Sequence, residues 1–462
     1  MPDDRRDILE LTPAELAASN LPRLTDPAWL YFDKIWRRAR FDRVWVIQEL
    51  VVSNVAVLYS HAYELAWDDY DTALRCADEL RVFYFLNAGV KPKLDLPRLR
   101  QQWKRGASMS LAQLLMEFSR YSAADHRDKI YALVGLADRH DQDNIIPNYR
   151  LSESEVFFKT ATTLLEKSGN LDVLSLVSLQ SLTGTSCDLP NWIPRFNLCH
   201  HIPMTSEWER QGRKPPKFFA ARQSSSHPEY SPISELGLEG YVLDTIDALG
   251  SPHIIRAQQM GSHLAAILDG AIIIQLMATG ESLTRQFGAT GKYFTGQDMR
   301  DVFWQTMVGG CTEAEFHTIR EEYQSIRRKY PLYRFLYAVR LTQYRWVCVA
   351  LLAYLLACIL LREKLGRPKP TDLRFFEHQS MVNDRRMFRS RGGLLGLGPA
   401  VCRRGDRIAL LRGGRVPLVL RPVGNTTSTS APRWVLVGDA YIHGVMYGEA
   451  FDEEKCERIW LI

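Results

Sequence analysis

Residues 40–59 read RFDRVWVIQELVVSNVAVLY. From Val44 to Val52 the only polar residues are the adjacent Gln48 and Glu49. A carboxylate held inside an apolar run costs roughly several kcal/mol unless it is paired, hydrogen-bonded or protonated. Glu49 therefore needs a stated use. The apolar spacing predicts a helix to about Val52, and one helical turn sets Trp45 and Glu49 on the same face. Ser53-Asn54 then turns the chain into VAVLY, which reads as a strand. With the helices and C-terminal strands that follow, the expected fold is mixed α and β, of the α+β class.

Outward from this stretch, Tyr31 to Arg40 has helical spacing with aromatics on one face. WDDYDTALRCADELRVFYFLNAG reads as a helix ending at Gly89, and helices dominate from Leu96 to Lys167. Ala123 to Ala137, AADHRDKIYALVGLA, sets acidic residues ahead of an apolar helical face. Ser152 and Glu155 form a capping-box pattern with a stop at Gly169. LPNWIPRF, Leu189 to Phe196, is punctuated by proline and expected to be extended. A polar, Pro-rich excursion over residues 201–232 suggests a border, after which LGLEGYVLDTIDALGSP has strand character. GDRIALLRGGRVPLVLRPV places two strand runs around Arg412-Gly413-Gly414-Arg415, a hairpin signal, and RWVLVGDAYIHGVM adds more strand. The expected organisation is a lead-in (1–30), a first α+β region (31–150) and a mostly helical middle (151–345). An apolar helix (346–361) and a basic linker with a small antiparallel β-barrel or sandwich (362–462) follow.

The chain has 462 residues, 46% hydrophobic and 24% charged, which is a globular composition with room for two or three domains. The net charge of +5 does not by itself imply nucleic acid. Its placement is uneven: Arg362 to Arg421 holds fifteen Lys/Arg against five Asp/Glu. Within it, RRMFRSR (Arg385 to Arg391) could touch phosphates or acidic lipid, although a solvated face is the ordinary use of such a run. No specific nucleic-acid binding is expected. The eight cysteines are scattered without a CxxC and suggest reduced thiols. The opening MPDDRRDILELTPAEL lacks the apolar core of a signal peptide, so a cytoplasmic location is expected. One segment offers another: Trp346 to Leu361 is sixteen uncharged residues, about 24 Å of helix, flanked by arginines. It is either a buried helix or a membrane anchor.

Most catalytic signatures are absent, including the P-loop, the GxSxG elbow and HExxH. Gly393, Gly396 and Gly398 in RGGLLGLGP read as turn glycines, because no strand–helix context surrounds them. Cys199-His200-His201 lacks a second cluster at metal spacing, so no metal site is expected. His443, with Glu449 six residues on, is read as a satisfied, partly buried histidine; an acid–base role is the alternative.

Taken jointly, several stretches resemble the fungal heterokaryon-incompatibility (HET) domain family. RFDRVWVIQEL resembles its W-F-x-R-x-W-V-x-Q-E block through Phe41, Arg43, Trp45, Val46, Gln48 and Glu49. AADHRDKIYALVGLA resembles its D-P-R-D-K-I-Y-A-L-L-G-L block through Asp125, Arg127, Asp128, Lys129, Ile130, Tyr131, Gly135 and Leu136. IIPNYRLSESEVF and the stretch from Arg385 to Ala450 also resemble segments common in these proteins. His126 stands where the family usually has proline, and Arg195-Phe196 where it often has Asp-Trp. The family's opening L-S-Y-x-W-G strand and W-I-D-x-x-C-I-N-Q block have no match here. The resemblance therefore implies a HET domain without its first half.

By resemblance the expected function is fungal non-self recognition linked to programmed cell death, through a protein partner of the incompatibility type and without a cofactor. HET domains have also been likened to TIR domains, whose NAD-cleaving members carry a glutamate four residues after a helical tryptophan. That likeness implies catalytic roles for Glu49 and Trp45, with NAD as the substrate. The competing expectation makes Glu49 a structural anchor paired with Arg43 or Arg127. In that case Phe41, Arg43, Gln48, Asp125, Arg127, Asp128, Lys129, Tyr131 and Gly135 build the surrounding network. A membrane-anchored interaction protein using Trp346 to Leu361 is the third alternative.

Overall fold

The computed structural model describes residues 18, 22, 26–36, 38–60, 63–79, 95–177, 189–198, 202–206, 217–253, 279–284, 291–313, 315–324, 382–423 and 432–462. The first part is helical apart from one hairpin. Helix α1 (Pro27–Trp36) and a 3₁₀ turn (Ala39–Asp42) lead into α2 (Trp45–Val52). Strands β1 (Val57–Ser60) and β2 (Tyr63–Ala66) pair antiparallel and run into α3 (Trp67–Glu79). Helices α4 (Asp95–Lys104), α5 (Leu111–Glu117), α6 (Asp128–Val134), α7 (Arg139–Asn144) and α8 (Glu153–Ser168) follow.

Local chemistry sets several of these ends. Both halves of the Ser152–Glu155 capping box form at α8, which stops at Gly169 with φ of 63°. Ser110 and Gln113 make a second box at α5. LPNWIPRF is not the extended segment its prolines suggested. It folds into turns that bury Trp192 and Ile193, with the Trp192 indole donating to the Ser234 carbonyl at 3.0 Å.

The β region is built on one long strand. Strand β4 (Leu236–His253) follows the short β3 (Glu229–Tyr230). After α9 (Met299–Met307) come β5 (Arg385–Ser390), β6 (Leu395–Pro399), β7 (Arg407–Leu411), β8 (Leu418–Val423), β9 (Arg433–Asp439), β10 (Tyr441–Ile442) and β11 (Glu457–Leu461). The first half of β4 pairs with β11 and β7, and its second half with β5. Register shifts between Val242 and Asp244, Ile246 and Ala248, and Leu249 and Pro252 bend it enough to serve both.

The ring β4–β7–β8–β9–β11–β4 closes into a barrel. A closed ring of five strands cannot be antiparallel throughout, and the parallel β9–β11 pair is where this one resolves the parity. Gly396 and Gly398 lie within β6 and are not turn glycines. A Cβ at Gly398 would stand 3.0 Å from the Phe388 ring, so the missing side chains let β6 lie flat on that ring. Gly393, with φ of 89°, is the turn residue.

Alternate residues of the barrel strands enter different cores. Ile408, Leu410, Val419 and Val437 pack with Phe388 and Ile442. Ala409, Leu411, Leu418, Leu420, Leu436, Ile459 and Leu461 join the same core as Ile47, Ile130, Phe157 and Leu165 of the helices. A sheet covered on both faces must be apolar at every position so covered, as Ile408 to Leu411 and Leu418 to Leu420 are. Ala220 and Ala221 join the core around Phe388 and Ile442, while Met204 and Phe218 are buried in a further one with Met387, Leu397 and Tyr441.

Candidate functional site

The two blocks of RFDRVWVIQEL and AADHRDKIYALVGLA meet in space. The Val44 amide donates to the Ser122 carbonyl at 2.8 Å and the Ser122 amide to that of Asp42 at 2.6 Å, which holds Arg43 alongside Ser122. Phe41 is buried with its ring 6.3 Å from that of Trp67. Gln48 packs on Gly135, where a Cβ would come within 2.7 Å of its amide nitrogen.

Asp128, in the first turn of α6, joins three segments. One carboxylate oxygen accepts from the Trp45 indole at 2.9 Å and the other from the Tyr149 hydroxyl at 2.6 Å. Burial, with the adjoining Asp128 charge, pushes the Tyr149 phenol well above its ordinary range. Arg127 grips both oxygens of Asp125 at 2.9 and 2.6 Å and donates to the carbonyls of Tyr149 and Leu151. That hydrogen bonding holds the Asp125 carboxyl below the usual carboxylate range. The Arg127 guanidinium also lies 5.2 Å from the centre of the Tyr149 ring. Tyr131 donates to the Asn148 carbonyl at 3.1 Å. Lys129 is buried and donates to the Ser119 carbonyl at 2.6 Å and to that of Tyr121.

Glu49 is not inside this network. It is solvent-exposed and pairs with Arg40 at 2.9 Å, not with Arg43 or Arg127. The apparent cost of a carboxylate in an apolar run disappears because its position on α2 points to water while Ile47, Leu50 and Val51 point to the core. Trp45 and Glu49 thus sit a turn apart, yet their polar atoms engage different partners.

Several structural anchors escaped the sequence reading. Arg100 on α4 is buried and caps the C-terminal end of α2, donating to the carbonyls of Leu50, Ser53 and Asn54. Nothing local in DLPRLRQQWK marks that role, since its partners lie about fifty residues away. Three arginines of the basic run RRMFRSR are engaged within the fold and do not form a wholly solvated face. Arg385 is buried, with its guanidinium 2.5 Å from one Asp439 oxygen, while the Met204 amide donates to the other at 2.6 Å. Arg386 donates to the Gly250 carbonyl at 2.9 Å, and Arg389 pairs with Asp247 at 3.2 Å. Arg421 forms a fork with Asp406, both contacts at 2.8 Å.

His443 has a partner on each ring nitrogen, the Tyr441 hydroxyl at 3.0 Å and the Gln297 side-chain oxygen at 2.5 Å. Burial lowers its pKa to about 4. Glu449 accepts from the Tyr447 amide at 2.7 Å and borders an open concavity with Arg222, Phe451, Asp452 and Lys455. Cys76, Cys402 and Cys456 are free thiols. Among the described residues no group of three His, Cys, Asp or Glu could hold a metal, and no helix is long and apolar enough to cross a membrane. Residues 199–201 and 346–361 lie outside the described residues.

Comparison with known proteins places these features together. Residues 371–462 match the Het-6 β-barrel domain. Over 377 residues the chain is 24% identical to heterokaryon incompatibility protein 6, OR allele, of Neurospora crassa. The match covers 76% of this chain and 53% of that protein, so the chain spans about half the length of the curated relative. No solved structure matches. The C-terminal part of the chain thus matches a Het-6 β-barrel domain, and the chain as a whole is similar to that heterokaryon incompatibility protein.

Proposed function

We propose that this chain acts in fungal non-self recognition, engaging a protein partner of the incompatibility type and contributing to growth arrest or cell death. The similarity to the curated incompatibility protein carries this reading, because it extends over helices and barrel alike. In the same reading the motif residues form a scaffold and Glu49 is half of a surface ion pair with Arg40. No cofactor is invoked.

Inducible expression in a filamentous fungal host tests it, with growth, vital-dye uptake and cellular NAD followed in the same cultures. Growth arrest with dye uptake, unchanged by Glu49→Gln and without loss of NAD, is the expected result. Normal growth at verified protein levels, in every strain carrying a different incompatibility genotype, overturns the recognition role. Arrest accompanied by NAD loss that Glu49→Gln abolishes would instead make Glu49 catalytic.

A further inference from the structure

The β1–β2 hairpin forms a two-stranded sheet by itself, and among the described residues no third strand pairs with either edge. One face is used: Ala56, Leu58 and Leu65 pack on the main core. The other shows Val55, Val57 and Tyr59 to solvent, at 81%, 38% and 68% exposure. A two-stranded sheet with an apolar outer face and open edges is an invitation to strand pairing, which proteins ordinarily block with charge or proline.

The two edges differ in what they would accept. Ala56 turns its carbonyl toward the β2 side, where it receives the Trp67 amide at 2.9 Å. In an antiparallel ladder successive residues alternate between neighbours, so Ala56, Leu58 and Ser60 face β2. The backbone groups of Val57 and Tyr59 then face the open edge. Val55 to Ser60 carries no charge, no proline and no glycine, whereas β2 carries Glu64. Pairing β2 with itself would bring like charges together; pairing β1 with itself would not.

We propose that two copies of this chain associate through β1, antiparallel across a two-fold axis, to make a four-stranded sheet. The occupant is a second copy because the strand is complementary to itself. Opposite residues in an antiparallel pair share a face, so the axis passes through a residue. Centred on Val57, the pairing uses the outward backbone groups and sets Val57 against the second copy's Val57. Tyr59 then lies against the second copy's Val55 at each end, an aromatic–β-branched pair of the favourable kind. So short an edge gives a weak, concentration-dependent dimer.

Sedimentation equilibrium across a protein concentration series, with circular dichroism to verify folding, tests this. Wild type is expected to shift toward twice the monomer mass as concentration rises. Val57→Lys, on an exposed position that tolerates the change, sets two lysines face to face and weakens association at least about tenfold. Val57→Glu does the same alone. A mixture of the two variants regains a dimer, because only a two-fold axis through residue 57 sets Lys against Glu. A wild type monomeric at all concentrations, or a dimer indifferent to both variants, overturns the proposal. So does a mixture that fails to recover, since it places the axis elsewhere.

Discussion

Asp128 is the residue on which the motif network turns. Its two oxygens are the acceptors for Trp45 on α2 and for Tyr149 ahead of α8, so one carboxylate sets the spacing of three segments. Asp128→Ala leaves the half-buried indole N–H and a phenol without those acceptors, and a loss of about 1–3 kcal/mol is expected in urea unfolding. An unchanged midpoint would mean water replaces the carboxylate at no cost, and the network would then be ornamental to stability. His443 makes a prediction of the opposite polarity. Its pKa falls from 6.5 to about 4 on burial, so the unfolded chain takes up a proton that the folded chain refuses. Stability from this residue is full above about pH 6.5 and is lost as pH falls toward 4, by about 3 kcal/mol at most. Urea midpoints measured between those limits should slope less steeply in His443→Gln than in wild type. Equal slopes would show that His443 protonates in place.

Among the elements, α2 depends most on distant support. It has eight residues, too few to persist alone, and its C-terminal carbonyls are satisfied by Arg100 from α4. Arg100→Leu keeps much of the bulk and removes the donors. The expected cost is about 1–3 kcal/mol, accompanied by faster amide hydrogen exchange in α2 than in α8. Uniform exchange in the two helices would assign Arg100 to general packing. This element also shows what the sequence could and could not disclose. The α8 boundaries were legible because Ser152, Glu155 and Gly169 act within one turn of the residues they cap. The pairing of Trp45 with Asp128 was legible only as co-membership of a family pattern, since eighty-three positions separate them. Arginines misled most. A guanidinium reads as surface unless its acceptor is known, and Arg385 meets Asp439 from fifty-four positions away. Glu49 misled in the reverse sense: a run of apolar neighbours hid that the helix turns this one position outward.

At the scale of the whole molecule, helices and barrel are joined by shared core, by an ion pair and by backbone hydrogen bonds that cross between them. Arg415, beside the β7–β8 turn, pairs at 2.8 Å with Asp172 in the 3₁₀ turn after α8. The Leu171 amide donates to the Gly413 carbonyl at 3.1 Å, and the Ser226 amide to that of Gly169 at 2.8 Å. Arg385–Asp439 sits deeper, fastening β5, β9 and the 202–206 segment together with almost no access to water. Removing one member of such a pair leaves a buried charge without its counter-ion, at a cost of about 3–5 kcal/mol, whereas removing both charges costs much less. Arg385→Met should therefore destabilise strongly. Adding Asp439→Asn should restore most of the loss, because the amide keeps an acceptor for Met204 while surrendering the charge. Since Leu411, Leu420 and Leu436 share one core with Ile47, Ile130 and Leu165, the damage should not stay in the barrel. Hydrogen exchange on Arg385→Met is expected to show lost protection in α6 and α8 together with β5 and β9. Protection lost from the barrel strands alone would mean that the two regions unfold separately and that the common core transmits little between them.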